Sequence, residues 1–133
     1  MGANTLKRSL LIFGGLVLAI AAGISIWLFS EAEYLRIKSP DGAYTAVVTY
    51  RRLESYRPTF PGQSGDKSGY IRIEDSEGAN YGKIPVGMVS MSRDLEWTED
   101  GADLTMVGEW NFPKREYRYW NDAQTKEYVK KAN

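Results

Sequence analysis

At 133 residues the chain has room for one modest domain beside a membrane segment, and 17 basic against 17 acidic side chains leave no net charge to draw it to nucleic acid. With no cysteine and no histidine it can form neither a disulfide nor a zinc site built on thiolate or imidazole, and triads that need those residues are excluded. Stability of the folded part must therefore come from packing alone.

The first predicted element is a membrane helix. Leu10–Phe29 reads LLIFGGLVLAIAAGISIWLF, an uncharged run that as a helix would span about 30 Å, the thickness of a bilayer's hydrocarbon core. Lys7 and Arg8 precede the run, and Glu31 and Glu33 follow it. The positive-inside rule then puts residues 1–9 in the cytoplasm and residues 30–133 outside. Trp27, Phe29 and Tyr34 fall where an outer aromatic belt would lie. A cleaved signal peptide is the competing reading, since Ser30-Glu31-Ala32 places small residues where a signal peptidase inspects. The run, however, exceeds the roughly 7–15 residues of a signal core, so an uncleaved anchor over 10–29 is expected. Gly15, Ala19 and Gly23 recur every four residues, a small-residue spacing that lets two membrane helices approach closely. A homodimer through the helix is one reading of that stripe, and the ordinary glycine and alanine content of such helices is the other.

Beyond the anchor the pattern turns to period two. Tyr34–Lys38 alternates, and Ser39-Pro40-Asp41-Gly42 supplies a turn in which Pro presets φ and Gly accepts positive φ. In Ala43–Arg52 one face carries Tyr44, Ala46, Val48 and Tyr50. Leu53–Ser68 breaks the alternation with Pro58, Pro61, Gly62 and Gly65, and loops of that length are usually functional or mobile. Gly69–Asp75 resumes with Ile71 and Ile73 inward, and Tyr81–Met91 with Ile84, Val86 and Met88 inward. Asp94–Thr98 and Asp103–Glu109 flank an Asp100-Gly101 hairpin signal, placing Leu95, Trp97, Leu104 and Met106 in the core. Asn121 or Asp122 could cap a helix to about Lys131. The expected fold is α+β: one transmembrane helix, then an antiparallel β-meander of five or six strands with a short C-terminal helix.

Two patterns could carry chemistry. Asp94, Glu96, Glu99, Asp100 and Asp103 crowd together, but they lack calcium-loop spacing and alternate faces on a strand. A solvated hairpin tip is the expectation, with no metal, no cofactor and no catalytic residue. Charge is segregated more informatively. Residues 74–109 hold nine acidic and two basic groups, whereas 110–133 hold six basic and three acidic. Aromatics interleave the basic groups as Arg115, Tyr117, Arg118, Tyr119 and Trp120, and Arg51, Arg52, Tyr56 and Arg57 repeat the mixture. Arg, Tyr and Trp dominate protein–protein hot spots, so these residues other than Tyr119, eight in all, are the candidate partner-binding set. Their stems could equally cover a sheet face or meet lipid headgroups.

Ser39–Val48 (SPDGAYTAVV) and Trp97–Val107 (WTEDGADLTMV) resemble the turn-and-strand signature of TolB-type propeller blades, although a propeller needs at least about four blades and more chain than this. In overall layout the sequence resembles the immunity proteins that protect bacteria from colicin M-type bacteriocins: an inner-membrane anchor and a small periplasmic antiparallel sheet. That resemblance implies a non-enzymatic, single-pass inner-membrane protein whose periplasmic partner is a bacteriocin attacking lipid-linked peptidoglycan precursor. It rests on layout, with no diagnostic motif, and the colicin M immunity protein has a disulfide that this cysteine-free chain cannot form. An accessory or sensory subunit of an envelope complex is the alternative, and no nucleic acid is expected.

Overall fold

A long apolar run can satisfy its backbone only within itself, and the first unit does so as one helix. The computed structural model describes residues 2–62, 65–121 and 126–132. The chain divides at Ser30/Glu31. Before that point lies α1 (Gly2–Phe29), which begins ahead of the apolar run and takes in Lys7 and Arg8; none of its residues is buried. It is long and apolar enough to cross a membrane. Ser25 Oγ donates to the Ala21 carbonyl at 2.8 Å, and Ser30 Oγ donates to the Trp27 carbonyl at 2.6 Å.

The second unit is two antiparallel meanders laid down in succession. The first is β1 (Glu31–Lys38), β2 (Tyr44–Arg51), β3 (Gly69–Asp75) and β4 (Asn80–Val86); the second is β5 (Glu96–Thr98), β6 (Gly101–Leu104), β7 (Gly108–Asn111), β8 (Glu116–Asn121) and β9 (Lys126–Lys131). Short 3-10 turns at Arg52–Tyr56 and Val89–Asp94 link elements. Among the described residues nine strands replace the expected five or six, because turns shorter than anticipated cut the long runs. The run read as Asp103–Glu109 is two strands: Val107 N–H donates to the Leu104 carbonyl at 2.9 Å, and Met106 heads the turn at φ +63. Met106, expected inward, is therefore 83% exposed. Likewise β4 stops at Val86, and Met88 lies exposed before the second 3-10 turn. The expected C-terminal helix is a strand: Lys126–Lys131 pairs antiparallel with β8, Tyr119 opposite Tyr128 and Arg118 opposite Val129. Of its two suggested caps, Asn121 ends β8, and Asp122 lies outside the described residues. The cause is pairing: β8 offers an open edge, and KEYVKK has a β-branched and an aromatic residue to spend on it.

The core fills the space between the sheets. Ala46, Val48, Ile71, Ile73 and Ile84 are fully buried from the first sheet, and Ala102, Leu104 and Trp110 from the second are nearly so. Each large aliphatic side chain there contributes roughly 1.5–3 kcal/mol. The seam between sheets is β4 against β7 and β8. There a bulge in β4, where the register with β3 slips between Lys83 and Asn80, puts Gly82 at φ +122. A Cβ at Gly82 would strike the Tyr117 ring. Its carbonyl accepts from Trp110 Nε1 at 3.2 Å, a buried bond between the sheets. Only glycine fits such a backbone with a ring against it.

Two turns came out as their residues dictate. In the β1–β2 hairpin Asp41 accepts from Ser39 Oγ at 2.5 Å and from Ala43 N–H at 3.0 Å, and Gly42 takes φ +74. These bonds, Ser39's foremost, hold the Asp41 carboxyl below its ordinary pKa. The β5–β6 hairpin also forms, but Glu99 and Asp100 make its turn, since Thr98 already pairs with Gly101. Gly101 is needed for another reason: a Cβ there would overlap the Trp110 carbonyl.

Candidate functional site

The outer face of the first sheet carries a lattice of paired charges. Arg36 pairs with Glu33 at 2.8 Å and with Glu74 at 3.3 Å, Arg72 joins Glu74 at 3.2 Å, and Lys83 reaches Glu31 at 2.5 Å. Thr49 Oγ1 also donates to Glu31 at 3.0 Å. Lys83 foremost, and then Thr49, hold the Glu31 carboxyl below the usual glutamate range against the opposing effect of burial. Beneath this lattice Val47 is only 2% exposed, covered by the stems of charged neighbours on either side (Arg36 and Arg72 in the register).

The eight candidate partner residues are not one patch. β8 alternates, so Tyr117 and Tyr119 share the face of Trp110 and pack on the core, while Arg118 and Trp120 share the outer face. Tyr117 lies against Gly82 and is a structural residue. Arg118 pairs with Glu109 at 3.4 Å and stands opposite Val129, which is 56% exposed. Arg115 sits at the other end of β8 in a turn at φ +52, its guanidinium 5.0 Å from the Tyr81 ring centroid and donating to the Asn80 carbonyl at 3.4 Å. The five steps from Arg115 to Trp120 span roughly 17 Å of strand, so these two serve opposite ends of β8.

At the Trp120 end an open cleft of about 620 Å³ runs between the sheets, lined by Arg51, Glu54, Tyr70, Pro85, Tyr119 and Trp120 among others. It brings Arg51 and Trp120 together across 69 residues of sequence. Arg57, just past the 3-10 turn, pairs with Glu54 at 3.0 Å; Tyr56 is exposed on that turn, and Arg52 at its start is half-buried. Tyr70, Pro85 and Tyr119 were not anticipated as site residues; only the register of β3, β4 and β8 aligns them.

The loop expected to be irregular is pinned at its far end. Asp66 accepts from Ser90 Oγ and, at 3.2 Å, from Ser90 N–H, while the Lys67 carbonyl accepts from Val89 N–H at 2.8 Å. Burial would raise the Asp66 pKa, but these bonds, Ser90's first among them, bring it below the aspartate range. The acidic residues Asp94, Glu96, Glu99 and Asp100 are exposed, and among the described residues no three carboxylates converge as a metal site would require. Gly15, Ala19 and Gly23 lie along α1 with no neighbour in reach of a Cβ at either glycine. No family model, no curated protein and no solved structure matches the chain.

Proposed function

We propose that the chain is a single-pass, membrane-anchored binding protein with its β-domain on the periplasmic side of a bacterial inner membrane. On the layout it shares with colicin M-type immunity proteins, the partner is a bacteriocin. The observation that carries a binding role is the outer face of the second sheet. Arg118, Trp120 and the exposed Val129 stand together there, a charged, an aromatic and an apolar group on one strand pair, which is the composition of an interface centre. On the first sheet's outer face, by contrast, Glu31, Glu33 and Glu74 are paired with Arg36, Arg72 and Lys83. Anchoring confines the domain to the layer where a toxin of membrane-linked substrates must work, which raises its effective concentration.

The test is to express the full chain in a sensitive strain and challenge it with colicin M-type toxins. Survival is expected to rise with the chain present and to fall for Val129→Asp or Arg118→Ala at equal membrane abundance. Full sensitivity to every such toxin, with the protein abundant in the membrane, rejects immunity and leaves an accessory subunit of an envelope complex as the reading. A periplasm-dependent reporter fused after Asn133 should be active, with Met1 or Gly2 as the mature N-terminus.

A further inference from the structure

We propose that β1 is a self-recognition edge: it pairs antiparallel with β1 of a second copy of this chain, about a two-fold axis between Tyr34 and Leu35. β1 is the end strand of the first sheet, and among the described residues only β2 pairs with it. Its far side presents backbone N–H and C=O groups that no strand there takes up, a template for one more strand. The edge belongs wholly to the second unit. It is separate from the Arg118–Trp120 face, which lies on the other sheet.

The strand's own sequence selects the occupant. Glu31–Lys38 reads EAEYLRIK, with Glu31, Glu33, Arg36 and Lys38 exposed and Ala32, Tyr34, Leu35 and Ile37 half-buried. Exposure thus reads the same from either end, whereas charge reverses. Turned end for end against itself, the strand sets Glu31 opposite Lys38, Glu33 opposite Arg36, Ala32 opposite Ile37 and Tyr34 opposite Leu35. On a regular strand that register would fail, because residues an odd number apart face opposite ways. The bulge in β1 removes the conflict. Glu33 stands opposite Thr49 and Leu35 opposite Val48, so Tyr34 is the extra residue. Tyr34 and Leu35 both pack on the core, and the four charged residues share the outer face. Tyr34 is held edge-on to the Tyr50 ring at 6.5 Å and accepts from Arg93 at 3.4 Å.

Charges and bulges at an edge ordinarily keep other strands away. Here both obey one two-fold axis, which is the isologous geometry of a symmetric dimer. A shifted register loses the match of charge and of face together. Pairing along the edge leaves the outer face in water, so the Arg36–Glu33 and Lys83–Glu31 pairs stay formed. It also gives Lys38, which has no carboxylate partner among the described residues, one in Glu31 of the second copy.

Two populations of the full chain, carrying donor and acceptor fluorescent proteins fused after Asn133, are mixed in an uncharged detergent, and energy transfer is followed on dilution. Parent chains should associate. Glu33→Arg and Arg36→Glu each put like charges opposite one another at two places in the dimer, and each should weaken association by about tenfold or more. An equal mixture of the two variants should recover it, because every altered charge then meets its opposite on the other copy. A pair within one chain cannot be repaired in that way. Lys38→Glu, set opposite Glu31, should weaken association without moving the chain's own unfolding midpoint. A monomeric parent, or a mixture no tighter than either variant alone, overturns the interface. If tryptophan fluorescence shows Glu33→Arg or Arg36→Glu unfolded, Lys38→Glu decides, and unchanged association there overturns it. Association lost in Gly15→Leu but untouched by all three charge variants assigns the dimer to α1 and overturns the β1 edge.

Discussion

Replacing Gly82 by alanine should cost the domain about 3–5 kcal/mol. Gly82 holds φ +122 in the β4 bulge, a region that residues with a Cβ enter at a cost of about 1–3 kcal/mol. The new methyl would also lie 2.5 Å from Tyr117 Cγ and 2.8 Å from Cε1, so the ring must move. If the bulge shifts instead, the Trp110 Nε1 bond to the Gly82 carbonyl is lost, worth about 1–3 kcal/mol for a buried pair left open. A domain of about a hundred residues has roughly 5–15 kcal/mol in total, so the variant stands near the edge of folding. Guanidinium unfolding of the full chain in detergent, followed by tryptophan fluorescence, should show a midpoint lower by roughly 1 M. Tyr117→Ala in the same background separates the causes: it opens space for the methyl but leaves φ unchanged. The double variant should be less destabilised than the sum of the singles by about 0.5–3 kcal/mol. A Gly82→Ala protein within about 0.5 kcal/mol of the parent refutes the bulge argument, and strict additivity refutes the part assigned to the ring.

Two further outcomes follow from the same contacts. Trp110→Phe keeps the ring but removes the donor to the Gly82 carbonyl, and should cost about 1–3 kcal/mol by the same unfolding assay; a neutral result would mean that water replaces the bond. Stability should be level from about pH 6 to 8, since the chain has no histidine. It should then fall on acidification through the carboxylate range. Glu31, Asp66 and Asp75 are each held below their ordinary values, Asp75 chiefly by the Ala79 N–H. A folded-state value below the unfolded one means that the unfolded chain binds more protons in acid, so stability rises with pH there and is lost below about pH 4. Unfolding midpoints from pH 3 to 8 measure this, and a maximum in acid would contradict it.

How much of this was legible depends on which residues were asked. The apolar helix, the β1–β2 hairpin and the strands around Val48, Ile71 and Ile84 all follow from period and turn chemistry, because local sequence decides them. The second sheet was harder. Its strands are short, and the Thr105-Met106 turn carries none of the Pro or Asn-Gly signals that mark a hairpin; Gly108 was the available hint, since a Cβ there would overlap the Arg118 carbonyl. The end of the chain was misread for a different reason. KEYVKK has basic residues where a helix C-terminus would favour them, and what overrides that preference is an edge on β8, a tertiary fact. The alternation Tyr117-Arg118-Tyr119-Trp120 was in plain view and would have divided the candidate set into core and surface. The cleft could not have been seen, because it depends on β4 lying beside β8.

The distribution of charge in the folded domain also says where a partner is not. On the outer face of the first sheet Glu31, Glu33 and Glu74 are matched by Arg36, Arg72 and Lys83. Pairs this exposed are each worth only about 0–1 kcal/mol to stability. Their effect on binding is larger, since a partner must desolvate or break them before gaining anything in return. Arg51 lies on that same face, two residues past Thr49 along β2, and it is where the matching runs out. Thr49 and Lys83 draw Glu31 inward over the sheet, and the arginine opposite is left facing the cleft. The lattice that closes one surface thus leaves Arg51 without a carboxylate partner among the described residues. A fold that needed only to be stable could have paired Arg51 with Glu31 directly across the strands.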